Sequence, residues 1–168
     1  MKIIKKGKNM RCFTDKNKDK WEIEITVGTA KRVKADCGVD LINITDFAKQ
    51  TGDEETPLET LMNDPALVVD VLFSLCYKQV AERGINGEAF GELFDYETIQ
   101  GAVSALVEEI INFTPPVKRK VLMKMYEQGQ RVMGEAEKEA EKILENPEFE
   151  KEVEAFMKSS INTQESSE

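Results

Sequence analysis

The chain has 168 residues, 40% of them hydrophobic and 33% charged, with a net charge of −9 and no histidine. That length fits one domain with room for an extension. The missing histidine removes the usual general base, the usual zinc ligand and the Ser-His and Cys-His nucleophile pairs, although enzymes without histidine can use carboxylates, Lys or Tyr.

The charge is unevenly spread. Residues 1–34 carry eleven Lys/Arg against four Asp/Glu, whereas the remainder carries twelve against twenty-eight. A basic head and an acidic body of this kind can steer partners or pair copies of one chain. The total charge argues against general nucleic-acid binding. Lys2, Lys5, Lys6, Lys8 and Arg11 form a basic N-terminal arm (residues 1–10 and the first residue beyond), which reads first as a solubilising tail. Cys12, Cys37 and Cys76 are odd in number and unrelated in spacing, so they suggest neither a disulfide framework nor a zinc site. No apolar segment follows the N-terminal lysines and nothing approaches eighteen apolar residues. A cytoplasmic location and no membrane association are expected, and the Asn43-Ile44-Thr45 and Asn112-Phe113-Thr114 acceptor patterns are therefore empty.

In chain order, Arg11–Thr14 and Trp21–Ile25 flank a polar loop. Trp21, Ile23 and Ile25 share one face, with Glu22 and Glu24 on the other, so the pair predicts a hairpin whose apolar face lies on helices. Thr26 or Thr29 caps a short helix ending near Gly38. Asp40–Ile44 reads as an extended connection, 46–51 as a helical turn and 52–57 as a loop. Thr56 and Pro57 start a short helix over Leu58–Met62. Asp64-Pro65 opens the strongest helix, nearly all apolar from Ala66 to Tyr77 and continuing to Arg83-Gly84, which belongs at the centre of the core. Asn86 caps a short piece reaching Phe94. Asp95 then starts a helix in which Ile99, Val103, Leu106, Ile110 and Phe113 form one stripe, stopped by Pro115-Pro116.

Beyond the prolines the character changes. Leu122, Tyr126, Gly129, Met133, Ala136, Ala140 and Ile143 repeat at 4-3-4-3-4-3, a heptad seam that Gly and Ala keep thin. Asn146-Pro147 breaks it, and Phe149, Val153 and Phe156 supply one more stripe. The expected organisation is thus mainly α with a small N-terminal β-hairpin. It comprises a basic arm (1–10), a globular hairpin-plus-helices domain (11–115), an acidic helical extension (116–158) and a disordered tail (159–168).

No constellation of catalytic, cofactor-binding or metal-binding residues emerges. Asp15-x-Asn17-x-Asp19 imitates half a calcium loop, but Lys20 stands at the glycine position and Thr26 at the bidentate glutamate, so it reads as a solvated hairpin turn. Asp70 is assigned to an exposed stripe with Ser74 and Lys78. Glu108-Glu109 read as surface charges, since adjacent helical residues do not face each other. Met123, Met125 and Met133 suit an adaptable groove, although helical spacing favours core packing.

The segment Phe13…Trp21-Glu22-Ile23-Glu24-Ile25…Lys31-Arg32-Val33…Gly38-Val39-Asp40-Leu41, followed by Asp64-Pro65…Leu67-Val68-Val69-Asp70-Val71-Leu72…Leu75-Cys76, resembles small proteins of bacteriophage tail-gene clusters. Phe90 in a short helix and the Phe113-Thr114-Pro115-Pro116 stop fit the same pattern. The chain is similar, over residues 11–120, to the phage tail assembly chaperone-like proteins. The resemblance implies a non-enzymatic factor, acting in the bacterial host cytoplasm without cofactor or small-molecule substrate. Such a factor binds the tape measure protein, keeps it soluble and helps recruit the tail tube protein; self-association is compatible with it. A long amphipathic client needs its apolar stripe covered, which places the partner surface on Leu122, Met125, Tyr126, Val132, Met133, Ile143, Phe149 and Phe156. The competing expectation is a minor tail or connector subunit that stays in the virion, the basic head packing on the acidic body of the next copy.

Overall fold

The computed structural model describes residues 11–46 and 55–162; the arm 1–10 and the turn expected from residue 47 onward lie outside them. Among the described residues the fold is mainly α, with eight helices and one antiparallel hairpin. The chain forms two compact units, Met1–Leu122 and Met123–Glu168.

Strands β1 (Arg11–Thr14) and β2 (Lys20–Ile23) pair in the register that sets Phe13 opposite Trp21. Phe13, Trp21, Ile23 and Ile25 are buried, as their period-2 spacing requires. The turn between the strands is not solvated throughout. Asp15 is fully buried: Oδ1 accepts the backbone N–H of Asn17 (2.8 Å) and Asp19 (3.1 Å), and Oδ2 accepts the indole N–H of Trp21 (2.9 Å). The half-calcium pattern thus works as a side-chain-stabilised turn, in which the carboxylate substitutes for a backbone acceptor.

Thr26 caps α1 (Val27–Cys37) in a reciprocal arrangement with Thr29, and Gly38 ends it at φ 74°, a geometry that costs glycine least. The next residues turn instead of extending. Asp40 Oδ1 accepts N–H groups from Ile42 and Asn43, and Oδ2 takes the Lys34 ammonium at 2.7 Å. That ammonium, with Asn43, holds the Asp40 carboxyl down at about 2. A capping box of Thr56 and Glu59 starts α2 (Pro57–Asn63), and Asp64 caps α3 (Pro65–Leu75).

Helix α3 does not continue to Gly84. At Cys76 the backbone leaves helical geometry (ψ 12°) and α4 (Tyr77–Arg83) begins. The bend carries Gln79 and Arg83 onto β2. Gln79 accepts the Glu22 N–H at 3.0 Å and donates to the Glu22 carbonyl at 2.7 Å. Arg83 donates to the Lys20 carbonyl and lies 3.7 Å over the Trp21 ring. Asp70 is exposed, as expected, but Ser74 is buried: it donates to Asp36 of α1 at 2.8 Å while its carbonyl accepts from Arg32. Ser74 therefore belongs to the α1–α3 contact, a placement that helical spacing alone cannot reveal.

Asn86 caps the short α5 (Gly87–Gly91), which delivers Phe90 to the centre of the core. Its ring meets Trp21 edge-on at 5.0 Å and lies 5.5 Å from Phe73 and 5.3 Å from Phe94. Helix α6 (Tyr96–Phe113), capped by Asp95 and Thr98, packs along β1 and buries Ile99, Ala102, Leu106 and Ile110. Thr114 breaks the chain before Pro115, and α7 (Pro116–Leu144) follows. Then α8 (Pro147–Asn162) runs past Lys158, where the expected extension ended.

The three thiols differ in environment. Cys12 is exposed, whereas burial pushes the Cys76 thiol up to about 12, and burial with the nearby Asp70 and Asp36 pushes Cys37 up to about 11. Only a thiolate alkylates rapidly. Iodoacetamide at neutral pH is expected to modify Cys12 first, Cys37 much more slowly and Cys76 only after denaturation, as peptide mapping would show.

Candidate partner-binding surface

The surface is built by two helices whose apolar residues outrun the core. On α7 the first turns are tied to the globular unit: Arg119 donates to the Thr114 carbonyl and Leu122 is only 6% exposed. Leu122 is therefore a core residue and leaves the expected partner surface. From Met123 onward the same side of the helix carries Met125, Tyr126, Gly129, Val132, Met133, Ala136, Ala140 and Ile143. These positions fall within one broad arc of the helix, which the 3.6-residue period keeps together.

Met125 and Met133 are 60% and 62% exposed, and Val132 and Ile143 are at least half exposed. The expectation that these methionines pack in a core is thus corrected. Tyr126 and Phe149 are half-buried, and Phe156, 72% exposed, extends the Phe149–Val153 stripe along α8. The sequence reading missed Leu144 and Met157 and left Val153 outside the partner set, and all three are exposed. In a straight helix an apolar face drifts about 20° per heptad, and counting in 3.6-residue steps brings Leu144 into the stripe.

Compared with protein-family models, with curated proteins and with solved structures, the chain matches none.

Elsewhere the adjacent carboxylates of α6 are engaged in structure. Glu109, expected at the surface, is 3% exposed, and its carboxylate accepts the Ile25 N–H (3.1 Å) and the Asn112 amide (3.4 Å). Its neighbour Glu108 forms an ion pair with Arg11 at 3.0 Å. The two carboxylates thus serve different contacts: Glu109 closes the backbone just past β2, and Glu108 fastens β1. A cleft of about 540 Å³ beside Gly38 and Pro57 has an apolar floor of Ile44, Leu61 and Leu67. Of its rim carboxylates, Asp40 is already bound by Lys34. Among the described residues no group of three or more His, Cys, Asp or Glu is placed to hold a metal, and no helix is long and apolar enough to cross a membrane.

Proposed function

We propose that this protein is a non-enzymatic assembly chaperone of the phage tail kind, which covers an amphipathic helix of the tape measure protein and keeps it soluble until the tail tube protein assembles around it. The observation that carries this reading is the apolar stripe of α7 and α8, exposed from Met125 to Met157 on helices too polar elsewhere to be core elements. A solitary helix of this composition has little reason to keep large apolar side chains in water, whereas a client helix laid against such a stripe removes it from solvent. Burying five such side chains contributes roughly 1.5–3 kcal/mol each. Association costs about 4–15 kcal/mol, so a reversible complex follows, suited to a factor that must let go. Residues 123–162 also carry ten carboxylates against six cations, which keeps a loaded complex dispersed by like-charge repulsion.

Co-expression of a tape measure fragment with the full chain tests the reading. The wild type should hold the fragment in the soluble fraction. The combined Met125→Glu, Val132→Glu, Met133→Glu variant should lower capture at least about tenfold, equivalent to about 1.4 kcal/mol, with unchanged helicity. Substitution is preferable to truncation after Pro116, which would also remove the core residue Leu122. Undiminished capture by the variant would move the site into the globular unit. A wild type that captures nothing, yet is found in purified particles, would instead identify a virion subunit.

A further inference from the structure

The two flanks of the hairpin differ. Asp15 donates its N–H to the Asp19 carbonyl at 3.1 Å, so in this register the pairs that exchange backbone hydrogen bonds are Phe13–Trp21 and Arg11–Ile23. The pairs between them, Thr14–Lys20 and Cys12–Glu22, turn their N–H and C=O groups away from the ribbon. On the β2 flank Gln79 meets both groups of Glu22, and Arg83 meets the Lys20 carbonyl. On the β1 flank, among the described residues, no hydrogen bond reaches the outward N–H and C=O of Cys12 or Thr14.

Both residues are exposed, and they stand beside a groove of about 430 Å³ whose other wall is Glu97, Thr98 and Gly101 of α6. A Cβ built on Gly101 would meet no atom within 4 Å, so that wall is open. Two donors and two acceptors, repeated two residues or about 7 Å apart, match an extended backbone and no compact ligand. The charges around the groove divide by face. Phe13 turns into the core cluster that α6 shares, whereas Thr14 turns outward with Lys20 opposite it, and Lys18 lines the same groove. Glu97 stands on the α6 wall. A residue paired with Thr14 on an added strand sends its side chain to the outer face, two strand spacings or about 10 Å from Lys20. A carboxylate there and the lysine ammonium reach each other across the small Thr14 side chain.

We propose that the free edge of β1 receives an extended acidic segment of a partner protein by antiparallel strand addition. The segment's residue opposite Thr14 carries a carboxylate toward Lys20 and Lys18, and its residue opposite Phe13 turns toward α6. This surface belongs to the Met1–Leu122 unit and does not depend on the stripe of α7 and α8 or on the chaperone reading.

The probe is the capped peptide acetyl-Val-Glu-Val-Thr-Val-amide, titrated into the full chain labelled with nitrogen-15. Its Glu then faces Thr14 and its Thr faces Cys12. Saturable downfield shifts of the Cys12 and Thr14 amide protons are expected, with the Glu22 amide, already bonded to Gln79, unmoved. Methylating the peptide nitrogens of its Glu and Thr should abolish the shifts, because those N–H groups donate to β1; methylating the central Val, whose N–H points away, should not. Exchanging the peptide's Glu for Lys turns attraction into repulsion and should weaken binding about threefold or more. Thr14→Pro removes one outward donor without touching a bond to β2, so it should weaken binding while Trp21 fluorescence stays that of the wild type. Unmoved Cys12 and Thr14 amides at millimolar peptide, shifts that survive methylation of the Glu and Thr nitrogens, equal binding of the Lys peptide, or wild-type affinity in Thr14→Pro would each overturn the proposal.

Discussion

Replacing Phe90 by Ala is expected to lower the stability of the Met1–Leu122 unit by about 3–5 kcal/mol. Phe90 is fully buried on a helix of five residues, too short to hold itself together. Its ring is the shared neighbour of Trp21 from the hairpin, Phe73 from α3 and Phe94 at the end of its own segment. Removing it opens a cavity at the meeting point of three elements and forfeits three edge-to-face contacts, each contributing about 0.5–1.5 kcal/mol beyond burial. The chain's one tryptophan, Trp21, touches that ring, so urea unfolding followed by its fluorescence reads the site directly. Phe90→Leu should cost clearly less. A loss below about 1.5 kcal/mol for Phe90→Ala would mean that the neighbours collapse into the space.

The second large effect belongs to Asp15. Asp15→Asn keeps size and shape, replaces the carboxylate by a neutral amide and turns one acceptor atom into a donor. With its oxygen on the Asn17 and Asp19 N–H groups, the new amide N–H₂ would point at the Trp21 indole N–H, donor against donor. With the side chain reversed, two backbone N–H groups lose their acceptor. Either arrangement leaves a donor unpaired in a buried position, with an expected cost of about 1–3 kcal/mol. Denaturation midpoints and a displaced Trp21 indole proton resonance would report it. Wild-type stability together with an unmoved resonance would show that Asp15 is not the partner of Trp21.

Local signals in this sequence specify local structure well. Thr26, Thr56, Asp64, Asn86 and Asp95 all cap the helices they announce, and Gly38 and Pro115 mark true ends, because a cap depends only on the residues beside it. The differences arise where a distant contact overrides the local pattern. Cys76 sits in an unbroken apolar run, and nothing in its neighbours announces the bend that puts Gln79 and Arg83 on β2. Ser74 and Glu109 are polar residues whose partners, Asp36 and the Ile25 N–H, lie 38 and 84 positions away. Of the candidate partner surface, the exposed members from Met125 to Phe156 were legible as a stripe. What the stripe could not reveal is that Leu122 is buried while Met125 is exposed.

The single amide of Gln79 has a consequence for how the protein survives crowded conditions. A two-stranded ribbon with a bare flank is a template on which extended chains from other molecules can stack and seed fibrils. By answering both the N–H and the carbonyl of Glu22, Gln79 occupies that flank with a side chain, which cannot itself be extended into a further row. The hairpin is thereby closed to strand addition along that flank.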